Sequence, residues 1–493
     1  MLRPAPRRVE VDAAGLWIDG GEVAAADGAQ VAVAEPATGA DLARVAQAGP
    51  EDAERAAATA GRAFRAGPWP RATAAGRQRA LLALAAGIRA RSGALAELEA
   101  RNAGKPIADA RWEVDTAAQC FEFFAGAAAC ASGRVPPVDG AGLSVVLRQP
   151  VGPCVLIVPW NFPFLIAAWK LAPALAAGNT VVLKPASATP LSALQLGALA
   201  REAGIPDGVV NVIAGPGASV GAALVRHPAI RKVSFTGDSE NGAEILRLAA
   251  PDIKRVSLEL GGKSANLVFA DADLGACVER SLLSVFGNAG QDCCARSRLL
   301  VEASVHDELV ERFVAATRRL RVGDPLDPET QVGSLISRSH RERVLGYVAL
   351  GREEGARLCC GGEVPDTGPL ARGAYLFPSV FDEVTPTMRI AREEIFGPVV
   401  SVLSFRDEDE AVALTNDSEY GLSGSLWTRD GRRALRVARA IETGVLSVNA
   451  SRSVYLESPF GGWKRSGLGR ELGVEALESY TETKSIYFES EEA

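Results

Sequence analysis

The order of elements along the chain predicts an α/β fold built on parallel sheets covered by helices. Three observations predict it. Short β-branched runs alternate with helical runs from residue 151 onward. The same alternation resumes beyond Cys293. The chain has 493 residues, 47% of them hydrophobic, enough for more than one buried core. A repeated strand–helix–strand order places its strands side by side and parallel.

The first third reads as alanine-rich helix over 52–66, 77–102 and 108–131, followed by a Gly- and Pro-rich turn at 133–140. Strands are then predicted at 155–158, 180–183, 209–213, 232–235 and 256–259. Between them lie helices at 164–175, 191–203, 221–227 and 240–249. Beyond Cys293, strands at 299–301 and 399–402 and a helix at 306–320 predict a second α/β unit. No repeat of fixed period and no low-complexity linker is visible.

Composition removes several classes of function. A net charge of −7 argues against a nucleic-acid binder, which needs clustered Lys and Arg. The eight cysteines include two adjacent pairs, Cys293-Cys294 and Cys359-Cys360, poor material for a disulfide framework. A reducing, cytoplasmic setting is expected. No metal-ligand spacing is present, and the only histidines are His227, His306 and His340. Residues 1–8 carry charge with no apolar core behind them, unlike a signal peptide. The apolar stretch 151–183 is interrupted by Asn161, Pro163, Lys170, Pro173 and Gly178, unlike a membrane span.

Several segments carry chemistry. Gly290-Gln291-Asp292-Cys293 is a glycine-flanked, loop-like setting for a thiol, where a reactive thiolate would have access. A buried core thiol is the plainer reading. Glu259 ends a predicted strand, and a carboxylate there can help hydrolyse a thioester. Pro159-Trp160-Asn161-Phe162-Pro163 holds an amide between two prolines, one way to present a donor to an oxyanion; a rigid aromatic turn is the alternative. Lys184 ends another strand, at the sheet edge where ligands bind. Gly215, Gly217 and Gly221 lie one residue off a dinucleotide fingerprint and are equally readable as a tight turn. Thr236 or Asp238 can cap the helix after Phe235. Gly262-Lys263-Ser264 lacks the first glycine of a P-loop, since Ser257 stands there.

Taken in order, PWNFP at 159–163, FTG at 235–237, ELGGK at 259–263, GQDC at 290–293, EEIFGP at 393–398 and PFGGWKRSG at 459–467 resemble the aldehyde dehydrogenase superfamily over nearly the whole chain. The resemblance implies Cys293 as nucleophile, Glu259 as general base, and Asn161 as oxyanion donor together with the backbone N–H of Cys293. It implies NAD or NADP as cofactor. Lys184 and Glu394 would grip its riboses and Phe396 would neighbour the nicotinamide. Pro159, Trp160, Phe235, Gly237 and Leu260 would line the same cleft, with Gly217 near the adenine. Glu259 favours water over coenzyme A as acyl acceptor, and the site is expected to promote the thiolate of Cys293.

Two positions depart from the pattern. Ser187 stands where many NAD-preferring relatives carry Glu, which admits the 2′-phosphate of NADP. Asp238 stands where relatives often carry Ser beside the pyrophosphate. By resemblance, Phe162, Ile166, Trp169 and Phe460 would line the aldehyde tunnel. Glu113, Asp115 and Glu457 at its mouth would attract an aminoaldehyde or betaine aldehyde. Arg452 would instead attract the carboxylate of a substrate such as succinic semialdehyde. A catalytically silent relative is the reading from outside enzymology. The resemblance implies a Rossmann-like nucleotide-binding domain (1–131 and 151–261), an α/β catalytic domain (262–465) and a small β oligomerisation element (132–150 and 466–493). A homodimer or homotetramer is expected, with strands at 143–148 and 484–488 pairing at exposed edges.

Overall fold

In a computed structural model of the chain, residues 13–130, 132–139 and 142–489 are described. The reading of residues 1–8 lies outside them. Two large sheets dominate. The first has eight strands, with Arg255–Glu259, Lys232–Thr236, Cys154–Ile157, Val181–Lys184 and Val210–Val212 adjacent in that order and mutually parallel. Strands Cys154–Ile157 and Val181–Lys184 are buried at every position, as befits apolar runs covered on both faces. Antiparallel strands close the edges: Leu16–Ile18 and Gly21–Val23 at one, Gly467–Leu468 at the other.

The second sheet has seven strands. Ala265–Val268 lies between Arg298–Glu302, the central strand, and Ser423–Trp427, all parallel. Val399–Phe405 follows next to Arg298–Glu302, again parallel. Helices entering these sheets start on side-chain caps: Asp238, Asp273, Ser337 and Asp430 each accept a backbone N–H of the first turn. Apart from the sheets, Leu143–Pro150 and Thr481–Phe488 form a two-stranded antiparallel ribbon.

The predicted α/β class and both α/β units are present. The first third differs from the expected helical run. It opens with short strands, including Gln30–Ala34 and Asp41–Ala46, before the helix Pro50–Ala66. The helix expected over 77–102 is two helices, Ala74–Ala90 and Ser92–Ala103, broken at Arg91. The helix expected over 221–227 is present as Ala222–Arg226, entered through a π turn at Gly217–Gly221. Among the described residues, no helix is long and apolar enough to cross a membrane.

Candidate active site

Two cavities meet at one thiol. The first, of about 580 Å³, is lined by Phe162, Ile166, Trp169 and Phe460 with Trp112 and Arg296. The second, of about 560 Å³, is lined by Trp160, Asn161, Lys184, Phe235, Glu394 and Phe396 among others. Cys293 lines both.

The backbone leading to Cys293 is bent by three successive left-handed residues, Asn288 (φ 49°), Ala289 (φ 55°) and Gly290 (φ 71°). A side chain at Gly290 would run into the carbonyl of Gly397, so glycine is required there. Side chains hold the bend. Gln291 Nε2 donates to the Asn288 carbonyl at 2.9 Å, and Gln291 Oε1 accepts from Ile336 N at 2.8 Å. Asn288 Nδ2 donates to the carbonyls of Asn161 (3.0 Å) and Gln291 (3.2 Å). Asn161 Nδ2 donates to the Gln291 carbonyl at 3.1 Å, which fixes the predicted amide against the thiol loop.

The electrostatics differ from the expected thiolate-stabilising pocket. The Cys293 thiol is pushed well above its ordinary pKa, first by its hydrogen bond with Cys294, then by burial, then by nearby carboxylates. Asp292 accepts from Cys294 N at 2.8 Å. Its carboxylate and the two sulfurs lie within 4.8 Å of one another, a grouping that sequence spacing did not signal.

Glu259 ends its strand at the C-terminal edge of the first sheet, in register with Thr236 on one side and Gly467 on the other. Its carboxylate is buried, and neither oxygen has a hydrogen-bond partner among the described residues. Burial, then the charge of Glu471, pushes its pKa well up. Glu259 lines neither cavity. Glu471 in turn pairs with Lys170, and Lys170 Nζ donates to Ser234 Oγ at 2.9 Å.

The second cavity gathers every residue expected at the cofactor, Pro159, Ser187, Gly217, Gly237, Asp238 and Leu260 included. Lys184 is buried, donates only to the Pro185 carbonyl (3.0 Å), and is pushed down to about 8 by burial. Glu394 accepts from Gly262 N at 2.9 Å and is pushed up to about 7 by burial. Ser187 Oγ donates to the Gly215 carbonyl at 3.2 Å. Asp238 spends both oxygens on Asn241, accepting from N at 2.8 Å and Nδ2 at 2.6 Å, so it caps its helix. Thr236 Oγ1 in this cavity is buried without a partner. Phe396 stands at φ 58°, packs edge-on against Trp160 at 5.3 Å, and its carbonyl meets His340 Nε2 at 2.7 Å. His340 gave no sequence signal, lying 47 residues beyond the thiol in a helix of its own.

The first cavity gathers Phe162, Ile166, Trp169, Phe460 and Arg452, the residues expected at the aldehyde, with Trp169 and Phe460 edge-to-face at 5.3 Å. The acidic mouth expected from sequence is not formed. Glu113 is fully buried in an ion pair with Lys105. Asp115 pairs with Arg89 on the surface. Glu457 is exposed and lines neither cavity. Arg280 and Arg452 line this cavity, with Glu279 beside Arg280. Lys170 was readable as an anomaly, a lysine within an apolar helix, whose burial demands a partner.

Known proteins share this arrangement. The sequence profile of the "Aldehyde dehydrogenase family" matches residues 23–486. A betaine aldehyde dehydrogenase of Bacillus subtilis (strain 168) is 41% identical over 474 residues, 96% of each chain. An NAD-dependent aldehyde dehydrogenase of Sinorhizobium meliloti superposes with a TM-score of 0.96 at 42% identity, over 98% of this chain and 96% of that one. A Staphylococcus aureus betaine aldehyde dehydrogenase solved in complex with NAD+ superposes with a TM-score of 0.95 at 37% identity, over 96% and 94%.

Proposed function

The chain belongs to the aldehyde dehydrogenase family, and from that premise we propose that it oxidises an aldehyde to a carboxylic acid with NAD or NADP through a thioester on Cys293. The observation that carries this reading is that Cys293 is shared by the two cavities. An aldehyde in the first and a nicotinamide in the second would meet at its sulfur. NAD is bound in a solved relative, and the second cavity suits a dinucleotide. It offers a buried ammonium at Lys184, a carboxylate at Glu394 and an unpartnered hydroxyl at Thr236.

The chain's residues divide the work as follows. The Cys293 thiol releases its proton to solvent, its sulfur bonds to the aldehyde carbon, and the carbonyl π pair moves to oxygen. Asn161 Nδ2, with the Cys293 backbone N–H, donates to the oxygen that becomes negative. The bound nicotinamide supplies a hydride acceptor, which leaves a thioester on Cys293. Glu259 takes a proton from a water that attacks this thioester, releasing acid and the free thiol. The two unpartnered oxygens of Glu259 leave room in its hydrogen bonding for that water. Lys184 and Glu394 hold the riboses. Ser187 places no carboxylate against a 2′-phosphate, so NADP is accepted alongside NAD. The ribbon of Leu143–Pro150 and Thr481–Phe488 is the oligomerisation element of a homodimer or homotetramer, and the domains divide near residues 131, 150, 261 and 465.

For substrate, an aminoaldehyde or betaine aldehyde is the first reading. The betaine aldehyde dehydrogenases among the relatives support it, as do the aromatic faces of Trp112, Phe162, Trp169 and Phe460, which suit a quaternary ammonium. A second reading is a semialdehyde with a distal carboxylate. Arg280 and Arg452 favour it, as two guanidinium groups that line the first cavity.

Rapid mixing tests the function. The wild-type enzyme is expected to produce NADH steadily. Glu259→Gln is expected to give one burst and then stall at the thioester, and Cys293→Ser neither. Full steady-state turnover by Glu259→Gln removes the general-base role, and turnover by Cys293→Ser removes the mechanism. No turnover of the wild type on any aldehyde of a broad panel points to the silent relative. Betaine aldehyde and succinic semialdehyde run side by side separate the two substrate readings by kcat/KM.

A further inference from the structure

Beneath the thiol site lies a buried charge cluster that the chemistry above does not use. Lys105 follows Gly104, which ends the helix Ser92–Ala103 in a left-handed turn. Glu113 projects from the next helix, Ile107–Ala127. Both side chains are fully buried and ion-paired. The remaining bonds of the pair point at one segment. Lys105 Nζ donates to the carbonyl of Asn161 at 2.8 Å and sits 4.5 Å from the centre of the Phe162 ring. Glu113 Oε1 accepts from Leu165 N at 3.1 Å, in the first turn of the helix Pro163–Ala176.

We propose that Lys105, held by Glu113, is a positioning residue for Asn161, fixing the peptide from which the oxyanion-binding amide projects. The proposal rests on the reading of Asn161 as that donor. Ammonium and carboxylate bracket residues 161–165 from one side, while Asn288 holds the same Asn161 carbonyl from the thiol loop. The peptide carrying the amide is thereby tied both to the helical layer and to the loop of Cys293. A buried ion pair is a costly way to fill space, and apolar residues of similar volume pack as well or better. What an apolar pair cannot supply is directional bonding to a carbonyl and to a helix N–H.

The surrounding acids agree with a single ion pair. Glu99 approaches Lys105 Nζ at 3.9 Å but is pushed up to about 8, by burial and then by Glu113, and holds its proton at neutral pH. Asp109, pushed up only to about 6 by burial, is charged at neutral pH but makes no ion pair with Lys105 among the described residues.

A double-mutant cycle on the full enzyme tests the coupling. Asn161→Ala is expected to slow hydride transfer roughly a hundred- to a thousandfold. Lys105→Met is expected to slow it at least tenfold with the Kd for NAD unchanged, since small misplacements of catalytic groups are costly. In the Asn161→Ala background, Lys105→Met should cost less than twofold more. Equal losses in both backgrounds, or no loss from Lys105→Met alone, overturn the positioning role. A full rate from Asn161→Ala instead overturns the oxyanion reading, whatever Lys105→Met does. Should Lys105→Met fail to fold, Lys105→Met with Glu113→Leu removes both charges. A restored melting temperature with a slow rate supports positioning, and a restored rate overturns it.

Discussion

The Cys293 thiol is held above its ordinary pKa, and its neighbour is the main reason. The hydrogen bond with Cys294 leads the causes that raise its pKa, ahead of burial and of the carboxylates of Asp292 and Glu394. The sequence led to an expected thiolate-stabilising pocket, and the folded surroundings of Cys293 push the other way. The motif shows a loop, whereas the bond between adjacent sulfurs and the closeness of Glu394, 101 residues away, are consequences of folding. A raised pKa means less thiolate at a given pH, so removing its largest cause must lower it. Cys294→Ala is therefore expected to move the pH profile of iodoacetamide inactivation to lower pH. For every roughly tenfold gain in thiolate, the intrinsic nucleophilicity of the sulfur falls by about threefold, which leaves a net gain of about threefold in rate. An unchanged profile means that Cys294 does not hold the proton in place. Glu259 has the matching sign, since a raised carboxyl pKa makes the base available only at higher pH, and thioester hydrolysis should weaken as pH falls through it.

At the scale of elements, legibility followed burial. Strand Cys154–Ile157 is a continuous apolar run and Arg298–Glu302 has one at its centre, and their positions were readable to within a residue or two. The early strands were not. Leu16–Ile18 and Gly21–Val23 are three residues each, and their pairing partners lie in the hairpin itself and at Val212, so no local period marks them. The break at Arg91 escaped for a similar reason, as alanine-rich helix continues on both sides of it. The C-terminal ribbon was readable as strand, and its exposure adds a consequence. Leu143, Tyr487 and Phe488 are each at least half exposed, and a two-stranded ribbon is marginal alone in water. Pairing with another subunit would cover both the edge and these side chains. Light scattering should therefore give the wild type a mass that is a multiple of 51.5 kDa. Tyr487→Lys with Phe488→Lys should shift it toward a single chain. A monomeric wild type would remove the oligomerisation role from the ribbon.

For the whole molecule, the second cavity is lined from both halves of the chain. Lys184 and Phe235 come from the first sheet, while His340, Glu394 and Phe396 belong to the polypeptide of the second. Motif order in the sequence named most of these residues but could not show which would share a cavity. It also missed residues whose role depends on distant partners, such as Lys170, bonded to Ser234 and paired with Glu471. The chain crosses between the halves again near its end, where Gly467–Leu468 joins the first sheet and Ser466 accepts from Leu260 N at 2.9 Å. A dinucleotide in the second cavity would bridge the two halves, so its binding should appear as stability of the whole. With NAD at a hundred times its Kd, unfolding should become harder by about 2.7 kcal/mol. Glu394, proposed above to hold a ribose, accepts from Gly262 N where the chain passes from the first sheet toward the second. If Glu394→Gln weakens NAD tenfold, the gain at the same concentration falls by about 1.4 kcal/mol, since each factor of ten in [L]/Kd is worth that amount. Thermal unfolding across an NAD titration measures both quantities. An NAD-induced shift of wild-type size in Glu394→Gln would place the ribose contacts elsewhere, and no shift in the wild type would remove the dinucleotide from this cavity.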